Sequence, residues 1–146
     1  MTRDQNIQQL LAQITLPEQV NIRAWQITDY SSVCDLALAE DWTTLRDRPE
    51  DGMTAWQQSW PALVATHNER VIGFLRALTD GAITLYIADF LVAPAWRGKH
   101  IGIAFLMVCH LLYPKVRFDL LSTDHAESFY QSQDFRPFQG FRKSYF

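Results

Sequence analysis

The chain has 146 residues, a formal net charge of −3 and a sequence pI near 5.7, and 48% of its residues are hydrophobic. This length and apolar fraction predict a single domain, residues 1–146, with one sizeable core. The slightly acidic balance argues against a nucleic-acid partner, and no apolar run is long enough to cross a membrane. Residues 1–20 do not have the charge and hydrophobicity pattern of a signal peptide, so we expect a cytoplasmic protein.

The cysteines and histidines show no metal-binding pattern. Cys34 and Cys109 are isolated from each other and lie in apolar segments, where a free cysteine packs as a small core residue. The histidines have no ligand spacing either: His67, His100, His110 and His125. We therefore expect no metal site.

Hydrophobic periodicity divides the first part of the chain into helices and one strand. Apolar residues recur at helix spacing from Ile7 to Ile14, which predicts an additional amphipathic helix within residues 1–18. A strand is predicted over residues 20–26, and Asp29 or Ser31 could cap the helix that follows. The remaining predictions here are a helix ending at Glu40, a polar and acidic loop over residues 41–51, and a short helix over residues 53–60 that Pro61 stops.

The next part of the chain predicts an antiparallel meander. Turn-forming residues separate three apolar runs, and Thr79-Asp80-Gly81 is typical of a tight hairpin turn. The last of these strands leads through a helix to another strand, and such a crossover pairs its two strands in parallel. The predicted elements are strands over residues 62–66, 71–78 and 83–92, a helix over 103–112, a strand over 116–121, a helix from Thr123 or Asp124 to about Gln133, and one or two final strands within 135–145. This order predicts a mixed α/β sheet, mostly antiparallel, with helices on both faces.

The segment 92–104 combines the features of an anion site. A strand stops at Pro94, a basic glycine-containing loop follows, and an apolar helix begins directly after it. The first amides of a helix have no intrahelical partner and lie at the positive end of the helix dipole. Arg97 and Lys99 add side-chain charge to this loop. We therefore predict that a phosphate group binds here.

The order of elements, with this loop in its place, resembles the GNAT family of acyl-CoA-dependent N-acetyltransferases over about residues 20–138. The family pattern Val-x-Pro-x-x-Arg/Gln-x-x-Gly-x-Gly is matched by Val92-x-Pro94-x-x-Arg97-Gly98-Lys99-His100-Ile101-Gly102. The late helix carries Phe129-Tyr130, followed by Phe135 where the family usually ends in Gly-Phe. A subgroup of small GNAT enzymes is similar in the run Arg76-Ala-Leu-Thr79-Asp80-Gly81 with a later Asp89.

The resemblance implies a fold, a co-substrate and the residues that hold it. The fold is a GNAT-like, mostly antiparallel central sheet in which the strands near residues 83–92 and 116–121 splay apart. The first of these strands would then pair with the pantetheine arm of coenzyme A. Acetyl-CoA is the implied co-substrate, without a metal. The implied cofactor-binding residues are Phe90, Leu91, Val92, Arg97, Gly98, Lys99, His100, Ile101, Gly102 and Thr123.

Two side chains are candidates for the chemistry. In the family, the tyrosine of the late helix serves the departing thiolate, and this position is Tyr130; the alternative is a core aromatic residue. Asp89 lies just before the expected splay and could take the amine proton, anchor the substrate or form a structural ion pair. Asp80 is expected to be structural, pairing with Arg76 or capping the main chain. The residues assigned to the acceptor are Trp42, Trp56 and Asp89, beside an acidic segment that a solvated loop would also explain.

Two positions depart from the family pattern. His100 stands where the family usually has its first motif glycine, and Asp134 stands where the helix-ending glycine is usual. Glycine takes a positive φ freely, and histidine and aspartate are among the other residues found there most often. His100 could point outward, donate to a phosphate or crowd the coenzyme, whereas Asp134 could end its helix.

The resemblance implies an enzyme that moves an acetyl group from acetyl-CoA to a primary amine by direct transfer in a ternary complex. We expect the amine to belong to a small molecule. Two alternatives stay open: a protein lysine or N-terminal acetyltransferase, and a non-catalytic acyl-CoA-binding regulatory domain. The N-terminal helix and the aromatic segment 138–146 could pack against a second copy, so a homodimer is a further expectation.

Overall fold

The computed structural model describes residues 1–145, which form a five-stranded sheet flanked by helices. The strands are β1 (Val20–Ala24), β2 (Ala62–His67), β3 (Arg70–Thr79), β4 (Thr84–Val92) and β5 (Arg117–Leu120). The helices are α1 (Arg3–Leu10), α2 (Tyr30–Ala39), α3 (Thr44–Asp47), α4 (Pro49–Gln58), α5 (Ile101–Leu112) and α6 (Glu127–Ser132). Short 3-10 turns follow α1 and lie before α2, α5 and α6.

The strands lie side by side in the order of the sequence. β1 to β4 pair antiparallel, and β4 pairs with β5 in parallel across the α5 crossover. Asn68 and Glu69 turn the chain between β2 and β3 with positive φ angles of 49° and 70°, as a tight hairpin turn requires. Asp80 shapes the turn between β3 and β4, because its carboxylate accepts hydrogen bonds from three backbone N–H groups of that turn. The predicted mixed and mostly antiparallel sheet is confirmed.

Two apolar clusters hold the helices on the sheet. On one face, Ile7 of α1 and Phe105 of α5 pack against the strands. On the other face, Val33 of α2 and Trp56 of α4 pack against Phe74 of β3. These five side chains are at most 1% exposed, and burial of each stabilises the fold by about 1.5–3 kcal/mol. The clusters therefore define an α5 face and an α2–α4 face of the sheet.

Asp29 joins the start of α2 to β1. Its carboxylate accepts hydrogen bonds from the Arg23 guanidinium at 2.7 and 2.8 Å and from the backbone N–H of Gln26 at 2.8 Å. The side chain of Asp29 is 6% exposed. The hydrogen bond with Asp29 is the main cause that raises the pKa of Arg23 above its ordinary value. This ion pair fixes the position of α2 against the sheet.

Two predictions of secondary structure were wrong. The acidic segment 41–51 is not a loop throughout, because α3 and the first turn of α4 lie in it, with Pro49 at the first helical position that proline favours. Residues 135–145 contain no strand, and Phe138, Phe141 and Tyr145 are each at least 78% exposed. Aromatic residues favour strands, but a strand also needs a partner, and none pairs with this part of the chain within residues 1–145.

The substitution Asp29→Asn should destabilise the protein by about 3 kcal/mol, because it leaves Arg23 without its buried counter-charge. Equilibrium urea unfolding measures this change. The matched control is Asp35→Asn on the exposed side of α2, which should alter the free energy of unfolding by less than about 0.5 kcal/mol. Equal effects of the two substitutions would contradict a stabilising role of the Arg23–Asp29 pair.

Candidate active site

The pairing between β4 and β5 stops half-way along β4. Residues 84–87 pair with residues 117–120, whereas β4 continues to Val92. On the edge that faces β5, residues 88–92 therefore have no strand partner within residues 1–145, and we call this edge the β4 gap. Unpaired backbone N–H and C=O groups need another hydrogen-bond partner, so an extended ligand can bind along the gap. The expected splay of the two strands is present.

A β-bulge lies where the gap begins. Arg76 is opposite Asp89 and Ala77 is opposite Ile87, so Ala88 is an extra residue in β4. A bulge interrupts the strict alternation of side chains and redirects those that follow, which is why bulges are frequent next to active sites.

Side chains beyond the bulge alternate between the two faces of the sheet. Phe90 and Val92 pack toward the α5 face, whereas Leu91 is buried on the α2–α4 face. Asp89 is two positions from Leu91 and therefore also lies on the α2–α4 face. The gap thus has an aromatic ring on one face and a carboxylate on the other.

The loop before α5 leaves the start of this helix open. Gly98 and His100 have positive φ angles of 74° and 65°, and a Cβ atom at Gly98 would meet no other atom within 4 Å. A helical hydrogen bond runs from the Ala104 N–H to the His100 carbonyl at 3.0 Å, so the N–H groups of residues 101–103 precede the helical ladder. The His100 side chain does not cap them. Such N–H groups at the positive end of a helix dipole form an anion site.

Both departures from the family glycines occur where the backbone has a positive φ. The φ angle is 65° at His100 and also 65° at Asp134. After α6, the Phe135 N–H donates to the Tyr130 carbonyl at 3.0 Å and the Asp134 N–H donates to the Gln131 carbonyl at 3.1 Å. This is the Schellman pattern, so Asp134 ends its helix as predicted. His100 is exposed and takes the conformation for which the family uses glycine.

The Arg97 side chain is already paired within the protein. Its Nε donates to the Val92 carbonyl at 2.9 Å, and its Nη2 donates to the Glu40 carboxylate at 2.5 Å. The adjacent Lys99 is exposed. In this arrangement the free side-chain charge of the loop comes from Lys99, and Arg97 offers a ligand only its backbone.

Tyr130 lies in an aromatic cluster beside the β4 gap. Its ring centroid is 6.4 Å from that of Phe90 and 5.4 Å from those of Phe129 and Phe135. Tyr130 also lines a cleft of 1110 Å³ between α5, β5, α6 and residues 133–140. Burial raises its pKa to about 12. The hydroxyl therefore keeps its proton at neutral pH and can donate a hydrogen bond.

Gly102 lets α6 approach the start of α5. A Cβ atom at Gly102 would lie 3.1 Å from the Phe129 ring, closer than ordinary packing allows. The second glycine of the loop motif, Gly102, therefore has a packing role as well as a place in the predicted anion site.

Thr123 is exposed before the short turn that leads to α6, and its carbonyl accepts the Ala126 N–H at 3.0 Å.

Asp89 is held by an arginine across the sheet. The Arg76 Nε donates to Asp89 Oδ2 at 2.5 Å, and the Arg76 Nη1 donates to the Ser59 hydroxyl at 3.1 Å. Ser59 in turn donates to the Ala55 carbonyl of α4 at 2.6 Å. The side chain of Asp89 stays 31% exposed. Asp89 is thus both ion-paired and accessible, whereas Asp80 caps the main chain and does not bind Arg76.

The acidic segment 41–51, which was assigned to the acceptor, has fewer unpaired carboxylates than its sequence suggests. Two of its carboxylates are bound by nearby arginines, in the contacts Arg46–Asp47 and Arg48–Asp51, both at 2.9 Å. Trp42 is half-buried, with its ring 6.4 Å from that of Phe74. Trp56 is 1% exposed and belongs to the core. The assignment of Trp56 to substrate contact is therefore corrected, and Trp42 and Asp89 remain on the α2–α4 face.

Sequence reasoning missed three contacts that shape this site. Glu40 and Arg97 are 57 positions apart, and no local pattern links them. Ser59 and Arg76 are 17 positions apart, in different elements. The Arg76–Asp89 contact had a usable signal, since opposite charges on paired antiparallel strands attract each other.

The cysteines and histidines form no cluster here. Cys109 is buried and Cys34 is half-buried, both as free thiols. Residues 1–145 contain no group of three or more His, Cys, Asp or Glu side chains that could hold a metal ion. Across the same residues, no helix has both the length and the apolar character needed to cross a bilayer.

A comparison with protein-family models identifies the family of this protein. The sequence model described as "Acetyltransferase (GNAT) domain" matches residues 58–137, more than half of the chain. The protein belongs to the GNAT acetyltransferase family. A comparison with curated protein sequences found no match.

Solved structures agree with this GNAT fold. A GNAT-family acetyltransferase from Streptococcus pneumoniae TIGR4 has a TM-score of 0.70 and 20% identity, covering 86% of this chain and 97% of that one. The PaiA N-acetyltransferase of Thermoplasma acidophilum, in complex with coenzyme A, has a TM-score of 0.62 and 17% identity, covering 78% and 87%. An aminoglycoside acetyltransferase from an uncultured soil metagenomic sample, in complex with sisomicin, has a TM-score of 0.62 and 15% identity, covering 88% and 95%. At these identities, the likeness concerns the fold.

Tyr130 should ionise late in an alkaline titration of this acetyltransferase. Tyrosinate absorbance, read directly after a jump to high pH, should show Tyr130 and Tyr30 ionising near pH 12, because burial raises the pKa of both. The pKa of Tyr130 is raised in the folded state, so its contribution to stability is complete below about pH 10 and is lost as pH rises toward about 12. Tyr130→Phe should remove one late step, and loss of a step near pH 10 instead would contradict the buried position.

Proposed function

We propose that this GNAT acetyltransferase moves an acetyl group from acetyl-CoA to the primary amine of a small molecule, by direct transfer in a ternary complex. The observation that carries the proposal is the β4 gap, which Tyr130 and Asp89 flank from opposite faces of the sheet. Acetyl-CoA supplies the acetyl group as an activated thioester. The chain must hold this co-substrate, polarise its carbonyl, receive the amine and stabilise the leaving thiolate.

The loop before α5 and the β4 gap fit the two ends of the coenzyme. The N–H groups of residues 101–103 and the exposed Lys99 suit the phosphates. The backbone of residues 88–92 suits the amide groups of the pantetheine arm, and an N–H group there can polarise the thioester carbonyl. Leu91 is 5% exposed, so only its backbone groups can contact the coenzyme.

Tyr130 supports the leaving thiolate through a hydrogen bond. A thiol has a pKa near 8.5, so complete proton transfer from a tyrosine whose pKa is about 12 would be unfavourable by about 5 kcal/mol. A hydrogen bond from the hydroxyl stabilises the developing charge without that transfer. This refines the role that the family resemblance implied for Tyr130.

Asp89 receives the amine on the other face. Arg76 binds Oδ2 of this carboxylate, which leaves Oδ1 for the ammonium group or for a water that carries its proton away. The Arg76–Ser59 contact restrains the arginine, so Asp89 keeps one orientation. With the amine approaching from the face opposite Tyr130, the new C–N bond forms on the Asp89 side, and the C–S bond breaks to leave the thiolate beside Tyr130.

The acceptor side favours a small amine over an extended basic partner. Its features include one partly exposed carboxylate, Asp89, and one half-buried aromatic ring, Trp42. The neighbouring carboxylates Asp47 and Asp51 are paired with Arg46 and Arg48, which reduces the net negative charge of this segment. One fold relative is an aminoglycoside acetyltransferase solved in complex with sisomicin, an example of a small aminated ligand on this fold.

Calorimetry and a thiol-release assay test the proposal together. Acetyl-CoA should bind, and free coenzyme A should then be released with an acceptor from a panel of polyamines, arylalkylamines, amino acids and lysine peptides. Release with small amines supports the proposal, whereas release with peptides alone would identify a protein acetyltransferase. Binding without release on any acceptor would identify a regulatory domain, and no binding would reject the proposed function.

Tyr130→Phe should lower kcat by about 10²-fold and leave acetyl-CoA affinity unchanged, because only the hydrogen bond to the leaving group is lost. The measurements are steady-state kinetics and calorimetry. Tyr86→Phe is the matched control, since Tyr86 lines the same cleft from the paired part of β4. An unchanged kcat in the Tyr130 variant would remove this residue from the mechanism.

Asp89→Asn should lower kcat/KM for the amine by about 10²-fold, because the amine loses its anionic partner, while acetyl-CoA affinity stays the same. The control is Asp119→Asn on β5, an exposed carboxylate near Arg117. If both variants had the acceptor kinetics of the unmodified enzyme, Asp89 would be a structural ion-pair residue only.

A further inference from the structure

One ion pair joins the loop before α5 to the α2–α4 face. We call this loop, residues 93–100, the coenzyme loop. Arg97 lies in the loop before α5, and Glu40 is the C-cap residue of α2. The Arg97 Nη2 is 2.5 Å from Glu40 Oε1, across 57 positions of sequence. The side chains are 53% and 28% exposed, respectively, so a ligand arriving at the loop can reach the pair.

Glu40 binds the Arg97 guanidinium, a cation that lies beside the predicted anion site. Arg97 directly precedes Gly98, where the space beside the backbone is open, and Lys99 follows with its side chain exposed. A guanidinium recognises carboxylate and phosphate oxygens with the same fork of N–H donors. In the structure that fork is divided between the Val92 carbonyl and Glu40. Glu40 and an incoming phosphate therefore compete for one partner.

An exchange of partners is energetically accessible. An exposed ion pair contributes little to stability, so it opens readily. The coenzyme carries several phosphate charges, and a guanidinium binds a phosphate through the same kind of charge-assisted hydrogen bonds that it makes with a carboxylate. Release of Glu40 also leaves that carboxylate in water, because its side chain is already partly exposed.

We infer, on the basis of the proposed function, that Glu40 is an internal substitute for a coenzyme phosphate. In the free enzyme it holds Arg97, and coenzyme binding transfers the Arg97 guanidinium from Glu40 to a phosphate group. Only hydrogen bonds and ion pairs change in this step. Because Glu40 ends α2, two positions before Trp42, the exchange links occupancy of the coenzyme loop to the acceptor side of the sheet.

Calorimetric titration with coenzyme A tests this competition without an acceptor. Glu40→Gln should bind coenzyme A about fivefold more tightly than the unmodified enzyme, since Arg97 no longer has to leave a carboxylate. Glu50→Gln is the matched control, because Glu50 is an exposed carboxylate of α4 and removes the same charge without touching Arg97. Its affinity should stay within about twofold of the unmodified enzyme.

Arg97→Gln and the double variant complete the cycle. Arg97→Gln should weaken coenzyme A binding by about tenfold, and adding Glu40→Gln should then change affinity by less than about twofold, because the contested cation is gone. Thermal unfolding of all variants without ligand should be similar, since the pair is exposed.

The outcomes separate this inference from the proposed function. Tighter binding in Glu40→Gln that disappears without Arg97 supports the exchange. Weaker binding in Glu40→Gln would show that Glu40 stabilises the loop, and unchanged binding would show that it does not affect the loop. Either result would overturn the inference while the proposed function stands. The same holds if the gain persists in the Arg97→Gln background, as a long-range charge effect would require. Failure of the unmodified enzyme to bind coenzyme A would reject the proposed function itself.

Discussion

The early end of the β4–β5 ladder is the constraint on which the site depends. Inside a sheet, an unpaired row of backbone N–H and C=O groups is unfavourable unless another group satisfies it. Here the ladder stops at Ile87, and the bulge at Ala88 begins at the same place. The unpaired edge can accept a ligand, while the bulge sets the order of side chains along it. The register after the bulge places Asp89 on the α2–α4 face, whereas α6 places Tyr130 beside Phe90 on the α5 face.

Arginines determine the electrostatics of the site as much as carboxylates do. Asp89 is bound by Arg76, and Glu40 is bound by Arg97. The first pair keeps a carboxylate in place with one oxygen accessible. The second pair joins the loop before α5 to the end of α2. Both carboxylates are therefore held by an arginine before any ligand binds.

Two left-handed residues show how the GNAT pattern tolerates substitution. His100 and Asp134 replace glycines of the family pattern, and both have a φ of 65°. A residue with a Cβ atom takes this conformation at a cost of about 1–2 kcal/mol, which the surrounding hydrogen bonds offset. Gly98 has open space beside it, whereas Gly102 makes room for Phe129. The backbone geometry of the loop is therefore retained although one of its glycines is not.

Much of the fold was predictable because it depends on local pattern. Hydrophobic periodicity located the five strands and most helices, and the charge of the loop before α5 and its place before a helix predicted an anion site there. The last segment was predicted wrongly, since its aromatic residues favour a strand but find no strand partner within residues 1–145. α3 and the first turn of α4 were missed because the polar residues of segment 41–51 show no apolar periodicity.

The sequence by itself determined the order of elements, the family pattern and the residues Tyr130 and Asp89 as candidates. Only the tertiary structure decided which groups those residues meet. The contacts Arg97–Glu40 and Arg76–Asp89 form between segments far apart in the chain, and Trp56 is core because α4 presses it onto the sheet. Periodicity reports local geometry, whereas ion pairing and burial depend on which elements the packed sheet brings together.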